Sequence, residues 1–244
     1  MSSTNTKWYQ NGYVYLTVGI IIGSCILAFG LGSIKGNDDS ITVKGYAEMN
    51  LTSDLCVWRI SINARMSTLA STFDKIKQNK ERIYAFLLDN GIDKSIIKET
   101  SLSNYTIYNY DRNGGESDVK GYSMSQSLVI NSKDIKQIQS LSLSINDLLA
   151  EGIEFNSNPP EFYVSDLGKY KIKMLGEALK DAKIRATEIA KSVGNDIGGI
   201  RYARQGIFQI TPVNSTEISD WGINDVSSVE KSIKSVVDAS FYVK

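Results

Sequence analysis

CVWRISIN, residues 56–63, places apolar side chains at every second position, from Cys56 through Trp58 and Ile60 to Ile62. A period of two is typical of a strand with one buried face. From residue 67 the apolar period lengthens to that of a helix, in a stripe comprising Leu69, Phe73, Ile76, Ile83 and Leu87. The change from strand to amphipathic helix predicts an α+β domain.

Similar patterns continue on both sides of this segment. They predict strands at residues 41–49, 97–108, 121–131, 153–164, 200–210 and 236–243, and helices at 135–148 and 166–193. Pro159-Pro160 predicts an edge or a bulge, since proline cannot donate a ladder hydrogen bond. Polar or glycine-rich stretches predict turns at residues 111–118 and at Gly198-Gly199, and a long loop at 211–229, a kind of loop that often serves contacts.

Two segments of the chain share a short sequence pattern. LLDNGID (residues 87–93) and LLAEGIE (148–154) share one pattern, and each ends a predicted helix that lies between two predicted strands. We therefore expect two related β-α-β-type units with antiparallel sheets. One longer helix should follow, in which Ala178, Ala182, Ala186 and Ala190 recur every four residues and permit close backbone packing.

The amino-terminal segment Tyr13–Ile34 contains no charged residue and no proline. At about 1.5 Å per residue a helix of this length reaches ~33 Å, enough to cross a hydrocarbon core of about 30 Å. It predicts a single-pass signal-anchor helix at 13–34, with a cytoplasmic amino terminus at 1–12, a tether at 35–40 and a domain at 41–244. Lys7 before the span places that domain outside the inner membrane, on the periplasmic or extracellular side.

Two alternatives remain for this segment. Ala28-Phe29-Gly30 has small residues at both positions that signal-peptide cleavage needs, which would release a secreted domain. Ile22-Gly23-Ser24-Cys25 loosely resembles a lipoprotein signal, in which Cys25 would carry the lipid.

The composition excludes several classes of function. The 27 basic and 27 acidic residues balance, so no positive field attracts nucleic acid. The chain has no histidine, which excludes Ser-His-Asp and Cys-His catalytic sites and removes the commonest zinc ligand. Two cysteines, Cys25 and Cys56, cannot form a disulfide framework. We predict no catalytic residue, no cofactor and no metal site.

Three groups of side chains are candidate functional sites. Cys56 is in phase with the buried face of its strand, which predicts an inert core thiol rather than a redox group. Charged residues on the long helix (Asp181, Lys183, Arg185 and Glu188) suit a solvated or subunit-facing stripe. Tyrosines around one predicted hairpin (Tyr105, Tyr108, Tyr110 and Tyr122) suit cross-strand packing, with a docking or ligand-stacking surface as the alternative.

Several short sequence motifs, in their order along the chain, resemble those of the SIMPL-domain family of bacterial envelope proteins. They are ITVKGYA (41–47), NGIDK (90–94), IKET (97–100), GYS (121–123), GIEF (152–155) and DAKIRA (181–186). The resemblance implies an α+β domain, export, a tendency to oligomerise and a loose link to envelope or oxidative stress. It supplies no catalytic site or cofactor. Ser53-Asp54 departs from the Pro-Asp that the family commonly has at this turn.

Together these observations favour a membrane-anchored, non-enzymatic domain of the cell envelope that self-associates or docks protein partners. The first alternative is an enzyme that uses lysine and carboxylate chemistry on envelope polymers, which would need clustered Lys, Asp or Glu with displaced pKa values in a pocket. The second alternative is a redox protein that acts through Cys56.

Overall fold

The computed structural model describes the backbone of residues 8–34, 39–110 and 116–244, and the side chains of residues 12–28, 39–109 and 118–244. Most of the predicted tether (35–40) and of the predicted turn (111–118) lies outside these ranges. The chain divides into two compact units. Unit 1 comprises Met1–Lys44, Ala182–Arg204 and Asp238–Lys244, and unit 2 comprises Gly45–Asp181 and Gln205–Val237.

The described residues form an α+β structure, as predicted. Its helices are α1 (Trp8–Ile34), α2 (Leu69–Asp89), α3 (Ile135–Ser144) and α4 (Leu167–Ser192). Its strands are β1 (Ser40–Thr52), β2 (Leu55–Met66), β3 (Ile97–Glu99), β4 (Ser103–Tyr110), β5 (Glu116–Ser132), β6 (Phe155–Ser157), β7 (Glu161–Tyr163), β8 (Ile197–Gln205), β9 (Gln209–Pro212) and β10 (Glu230–Val243).

The central strand of unit 2 is β2. It pairs antiparallel with β5 along one edge and with β6 and β7 along the other, in a sheet of order β3-β5-β2-β6. Its alternate side chains Cys56, Trp58, Ile60 and Ile62 are fully buried, which confirms the predicted period of two. The indole Nε1 of Trp58 donates to the Ser157 hydroxyl of β6 at 3.0 Å, so this buried ring leaves no donor unsatisfied.

The inward face of α2 differs from the predicted stripe. Ile76, Ile83 and Leu87 are buried as expected, but Leu69 and Phe73 are 45% and 50% exposed. Thr72 and Asn79 lie inward instead, and each donates a side-chain hydrogen bond, although Oδ1 of Asn79 accepts none from the described residues. The Thr72 hydroxyl donates to the Thr68 carbonyl at 2.7 Å, and the Asn79 amide donates to the Asn63 carbonyl of β2 at 3.0 Å. The buried face of α2 therefore differs from the predicted apolar stripe, because hydrogen bonds allow two polar residues to be buried on it.

The two glycines of the repeated pattern end their helices as predicted. Gly91 and Gly152 adopt φ of 81° and 76°, a left-handed conformation that glycine tolerates best. After α3 the chain tightens into a 3₁₀ helix at Ile145–Glu151 before it reaches Gly152. Each helix follows and precedes strands of the same sheet, in the order β2-α2-β3 and β5-α3-β6.

Three predicted strands are interrupted. The segment 97–108 forms β3 and the start of β4, with a break at residues 100–102. The segment 153–164 forms β6 and β7, separated by Asn158, Pro159 and Pro160, as the prolines indicated. The segment 200–210 was predicted to be one strand, but it forms β8 and β9 with a break at residues 206–208. A side-chain carbon at Gly206 would lie only 3.0 Å from the Val236 carbonyl oxygen, so the break allows a close backbone approach.

The second sheet has the order β1-β10-β8, and β9 also pairs with β10. The prediction that β10 begins at Val236 is wrong, because the strand starts at Glu230. Its first buried residues are Lys231 and Ser232, whose polarity is typical of a loop. The predicted turn at Gly198-Gly199 is also wrong, since both glycines lie within β8. Gly198 is needed for close packing there: an added Cβ would lie 3.2 Å from the Cβ of Tyr242.

Unit 1 contains α1, the start of β1, most of β8, and the ends of α4 and β10. The alanine stripe of α4 is fully buried from Ala178 to Ala190, as its four-residue spacing predicted. Helix α1 runs Trp8–Ile34, with side chains described for residues 12–28. Within the described part of the chain, no helix combines the length and the apolarity needed to cross a bilayer. The predicted span at 13–34 is therefore not confirmed.

Replacing Trp58 with alanine should lower the free energy of unfolding by about 3–5 kcal/mol, because it removes a fully buried ring and orphans the Ser157 hydroxyl. Trp221, which is 94% exposed, provides the matched control, and its replacement by alanine should cost less than about 0.5 kcal/mol. Urea unfolding of the full chain in detergent measures both. Equal losses in the two variants would contradict the placement of Trp58 in the core.

Candidate functional site

A long loop at residues 213–229 connects β9 to β10, close to the predicted loop at 211–229. The side-chain amide of Gln209 holds its middle, because Nε2 donates to the Ser219 carbonyl at 2.6 Å and Oε1 accepts from the Ile223 amide at 2.8 Å. Ile210 adds backbone hydrogen bonds to Ile223 and Asp225 at 2.8 and 2.9 Å. The loop therefore has a fixed path although it contains no regular element.

A groove of about 500 Å³ lies beside this loop, and we call it the Trp221 groove. Its lining residues are Leu167, Lys171, Gln205, Gly206, Ile207, Phe208, Ile210, Trp221, Gly222, Ile223 and Asn224. The Trp221 ring is almost wholly in solvent, and the loop residue Ile218 is also exposed. Exposed large apolar side chains beside a concave surface mark a binding surface more often than isolated ones do.

Gly222 shapes this groove through its backbone. Its φ is 85°, a left-handed conformation that side chains disfavour. A Cβ at this position would lie 2.8 Å from Cγ2 of Ile207 and 3.1 Å from the Phe208 carbonyl oxygen. The loop can approach the 206–208 segment this closely only because residue 222 has no side chain.

A second, smaller cavity of about 50 Å³ adjoins the groove, since Leu167, Ile210 and Asn224 line both spaces. We call it the inner cavity. Its other lining residues are Phe162, Tyr163, Val164, Asp225 and Lys231. The walls are mostly apolar, so its two charged residues give the cavity its polar character.

Lys231 and Asp225 form a buried ion pair in the inner cavity. Their side chains are 2% and 7% exposed, and Nζ lies 3.7 Å from Oδ2. Lys231 Nζ also donates to the Asp225 backbone carbonyl. The other carboxylate oxygen, Oδ1, accepts from the Ser227 amide at 2.9 Å and from its hydroxyl at 2.7 Å. Oδ2 is buried and accepts no hydrogen bond.

The environment shifts both titrating groups. Burial lowers the pKa of Lys231, against the attraction of the Asp225 carboxylate. Burial acts to raise the pKa of Asp225, but hydrogen bonds from Ser227 and Ser228 and the nearby Lys231 outweigh it, so the pKa of that carboxyl is lowered. The two opposite charges of the pair cancel, so the inner cavity carries no net charge from these two groups.

The structure places Cys56 in the core of unit 2, as predicted. Burial raises the pKa of its thiol to about 11, which keeps the thiol protonated at neutral pH. The charged residues of α4 are divided between the two units, with Asp181 in unit 2 and Lys183, Arg185 and Glu188 in unit 1. Asp181 accepts from the Tyr46 amide of β1 at 2.8 Å, while Arg185 and Glu188 line an open depression of unit 1 with Val43 and Lys44.

The four tyrosines do not form one surface. Thr106 pairs with Tyr122 across β4 and β5, whereas the adjacent Tyr105 pairs with Ser123 and therefore faces the other side of the sheet. Tyr108 lies two residues after Thr106 on β4 and therefore shares the face of Tyr122, beyond a register shift between Ile107 and Tyr108. The side chain of Tyr110 lies outside the described residues. Among the side chains that are described, no group of three or more Cys, Asp or Glu residues is placed to hold a metal ion.

Comparison with known proteins gives the family. The family model SIMPL, described as a protein of unknown function (DUF541), matches residues 41–235. The chain belongs to the SIMPL family. It is also similar to the uncharacterized protein YggE of Edwardsiella ictaluri (strain 93-146), with 22% identity over 181 residues that cover 73% of this chain and 72% of the relative. The SIMPL match includes the Trp221 groove and both members of the buried ion pair.

Sequence reasoning singled out the loop and Trp221 but missed Asp225 and Lys231. Six positions separate them, and each is surrounded by serines, so neither stands out from a solvated loop. The alternation of Lys231, Ile233, Ser235 and Val237 with their neighbours was the available signal that the strand begins early. Small and polar residues on its inward face concealed that signal.

A Cys25→Ser variant, in which Cys56 is the remaining cysteine, should resist maleimide at pH 8 for hours in the native state. The thiolate fraction there is about one in a thousand and the sulfur is inaccessible, so labelling should follow global unfolding in urea. Intact mass measures the adduct. Ser67→Cys in the same background supplies an exposed thiol that should label within minutes. Native labelling at Cys56 on that time scale would restore the redox hypothesis.

Proposed function

We propose that this SIMPL protein is a membrane-anchored, non-enzymatic domain of the cell envelope that self-associates through the Trp221 groove. The observation that carries the proposal is the exposed Trp221 ring beside a groove of about 500 Å³. Aromatic residues of this kind supply much of the binding energy at protein interfaces. The oligomerisation that the family resemblance implies agrees with it.

Charge complementarity favours a second copy of the chain as the occupant. Glu217 and Asp220 flank the exposed apolar residues of the loop, so this surface should prefer a basic partner. Strand β8 presents such a surface: it stands at the end of the order β1-β10-β8, and its exposed face carries Ile200, Tyr202 and Arg204. We propose that the loop of one copy docks on β8 of the next, a heterologous contact.

A catalytic alternative receives less support. The Asp225–Lys231 pair is the cluster that lysine and carboxylate chemistry would require, and both pKa values are displaced. The inner cavity measures only about 50 Å³, however, so it has no room for a unit of an envelope polymer. The geometry therefore favours recognition over polymer chemistry.

The membrane anchor rests on α1. No charged residue interrupts Tyr13–Ile34, and the described apolar side chains of this helix, including Ile20, Ile21, Ile26 and Leu27, are exposed. A bilayer would remove that apolar surface from water. The proposed location is the inner membrane with the domain outside, and the alternative is secretion after cleavage near Ala28.

Intact mass and amino-terminal sequencing of the protein from native membranes should give an uncleaved chain that starts at or directly after Met1. The chain should stay in the pellet after carbonate extraction, since apolar helix–lipid contacts survive high pH while electrostatic ones do not. A variant with Ile20→Asp and Ile26→Lys should lose this retention, and Ile20→Leu should keep it. A mature chain that starts beyond Gly30, or a lipid on Cys25, would contradict the signal-anchor.

Self-association can be tested by exchanging charges across the proposed contact. Asp220→Arg and Arg204→Asp should each weaken association of the full chain several-fold, measured by analytical ultracentrifugation in detergent. The double variant should recover most of it, because the opposite charges meet again. Glu81→Arg on the exposed face of α2 is the control and should change nothing. Additive losses in the double variant, or no losses in either single variant, would contradict a contact between loop and β8.

A further inference from the structure

Strand β4 forms an open edge of the sheet in unit 2. Within the described part of the chain it pairs with β5 alone, and residues 103–106 are exposed. Edge strands are usually protected from further pairing by charged residues, proline or bulges. Residues 103–107 contain no charge and no proline, and the register with β5 shifts only beyond Ile107. This stretch of β4 therefore lacks the usual protection against an added strand.

The hydrogen bonds of β5 fix the direction of its backbone groups. Ser127 donates its N–H to Oγ1 of Thr100, and its carbonyl accepts from the Thr100 N–H, both at 2.9 Å. Backbone groups point alternately to the two edges of a strand, so Ser125 and Ser123 direct theirs to the same edge as Ser127. That edge is the one along which β4 pairs.

Two residues of β4 consequently direct their backbone groups away from β5. The positions opposite the two serines are Ser103 and Tyr105, which form the ladder with β5. Asn104 and Thr106 alternate with them, so their N–H and carbonyl groups point to the open edge. Among the described residues, no backbone hydrogen bond from outside the β4–β5 ladder reaches either of them. Such an edge is a template for an added strand.

A cavity of about 300 Å³ lies beside this edge, between α2 and the segment that leads into β4. Its apolar lining comprises Phe73, Ile76 and Leu102. Ile76 is buried, but Phe73 is half exposed and Leu102 is also exposed, so part of this apolar surface faces solvent. A strand that pairs with β4 and continues past residue 103 reaches the cavity and can cover that surface.

The charged side chains around the cavity are paired with one another. Lys80 lies 2.9 Å from Glu99, and Lys77 lies 4.0 Å from Glu81. The paired charges cancel, so the rim does not select a charged group. A large apolar side chain gains most from the cavity, because it removes apolar surface from water on both sides and has no charge to desolvate.

We propose that β4 and this cavity together bind an extended segment of a partner protein, which adds a strand to the sheet and places one large apolar side chain in the cavity. Backbone hydrogen bonds at Asn104 and Thr106 supply affinity, and the cavity supplies specificity. All the residues involved belong to unit 2. The proposal does not rest on self-association through the Trp221 groove.

The side chains of β4 itself argue against a second copy of this strand as the occupant. Asn104 is opposite Met124, which packs in the same buried cluster as Ile76 of α2. Asn104 and Thr106 therefore lie on the helix side of the sheet. A β4 strand from a second copy that continued the sheet with the same face toward the helices would offer these two polar side chains, which do not suit an apolar cavity.

The cavity is tested with a fluorescently labelled peptide, acetyl-TVTLTVT-amide, titrated with the full chain in detergent and followed by fluorescence anisotropy. The alternating valines and leucine share one face of an extended strand. Replacing the leucine with serine should weaken binding at least about tenfold, because the cavity then buries no large apolar side chain. No binding of the leucine peptide, or equal affinity of the two peptides, would overturn the proposal.

Strand addition is tested with two N-methylated forms of the leucine peptide. One carries the methyl groups on its valines and leucine, and the other carries them on its threonines. The two sets of N–H groups point to opposite edges of an extended strand, so only one set faces β4. One form should bind about as well as the parent, and the other should lose at least about tenfold in affinity. Equal affinities of the two forms would show that no strand is added.

Variants of the chain test the same contact from the other side. Thr106→Pro removes an N–H that points to the open edge and spares the ladder with β5, so peptide affinity should fall at least about tenfold, whereas Thr106→Val should bind normally. Circular dichroism checks that both variants fold. If the proline variant does not, Phe73→Glu should weaken peptide binding and Leu88→Glu, equally exposed on α2, should not. Normal binding by every folded variant would refute the site.

The identity of the occupant is tested without peptide. Analytical ultracentrifugation of the full chain should give the same association constant for Thr106→Pro and Thr106→Val. Weaker self-association of the proline variant alone would assign the edge to a second copy and overturn the assignment to a partner protein. The charge exchanges at Asp220 and Arg204 report on the Trp221 groove independently, so either proposal can fail while the other stands.

Discussion

Strand β2 is the constraint on which unit 2 depends. Its inward side chains from Cys56 to Ile62 form the floor of the core, and its two edges pair with β5, β6 and β7. A shift of one residue in any of these pairings would turn Trp58 to the opposite face and expose the apolar row. The hydrogen bond from Trp58 to Ser157 fixes β6 in the register that the hydrophobic pattern requires. Helices α2 and α3 then contribute to the same buried cluster.

Polar contacts, rather than apolar packing, hold the surface loop of unit 2 in place. The loop after β9 contributes little to the buried core, and its path is set by hydrogen bonds from Gln209 and Ile210 and by the ion pair between Asp225 and Lys231. Burying such a pair is costly unless its lone pairs are satisfied, and one oxygen of Asp225 is not. A site selected for stability alone would favour apolar residues here.

Most of the fold can be predicted from the sequence because its strongest patterns are local. Alternation in β2, the ends of α2 and α3 at Gly91 and Gly152, and the alanine row of α4 each report burial or backbone geometry directly. The errors lie where polar residues are buried. Asn79 turns the inward face of α2 by bonding to Asn63, and Lys231 conceals the start of β10. In both places a side-chain hydrogen bond compensates the burial, from Asn79 to the Asn63 carbonyl and from Lys231 to the Asp225 carbonyl, and the apolar pattern does not show either bond. The inner cavity was missed for the same reason.

Gln209 gives the loop one more property. Its amide side chain forms hydrogen bonds with the carbonyl of residue 219 and the N–H of residue 223, as the backbone of a neighbouring strand would. Every amino acid supplies that carbonyl, and every one except proline supplies that N–H. Substitutions at residues 219 and 223 other than proline at 223 therefore keep both hydrogen bonds to Gln209. Gly222 is the exception within this tip, because its left-handed backbone and its contact with Ile207 leave no room for a side chain.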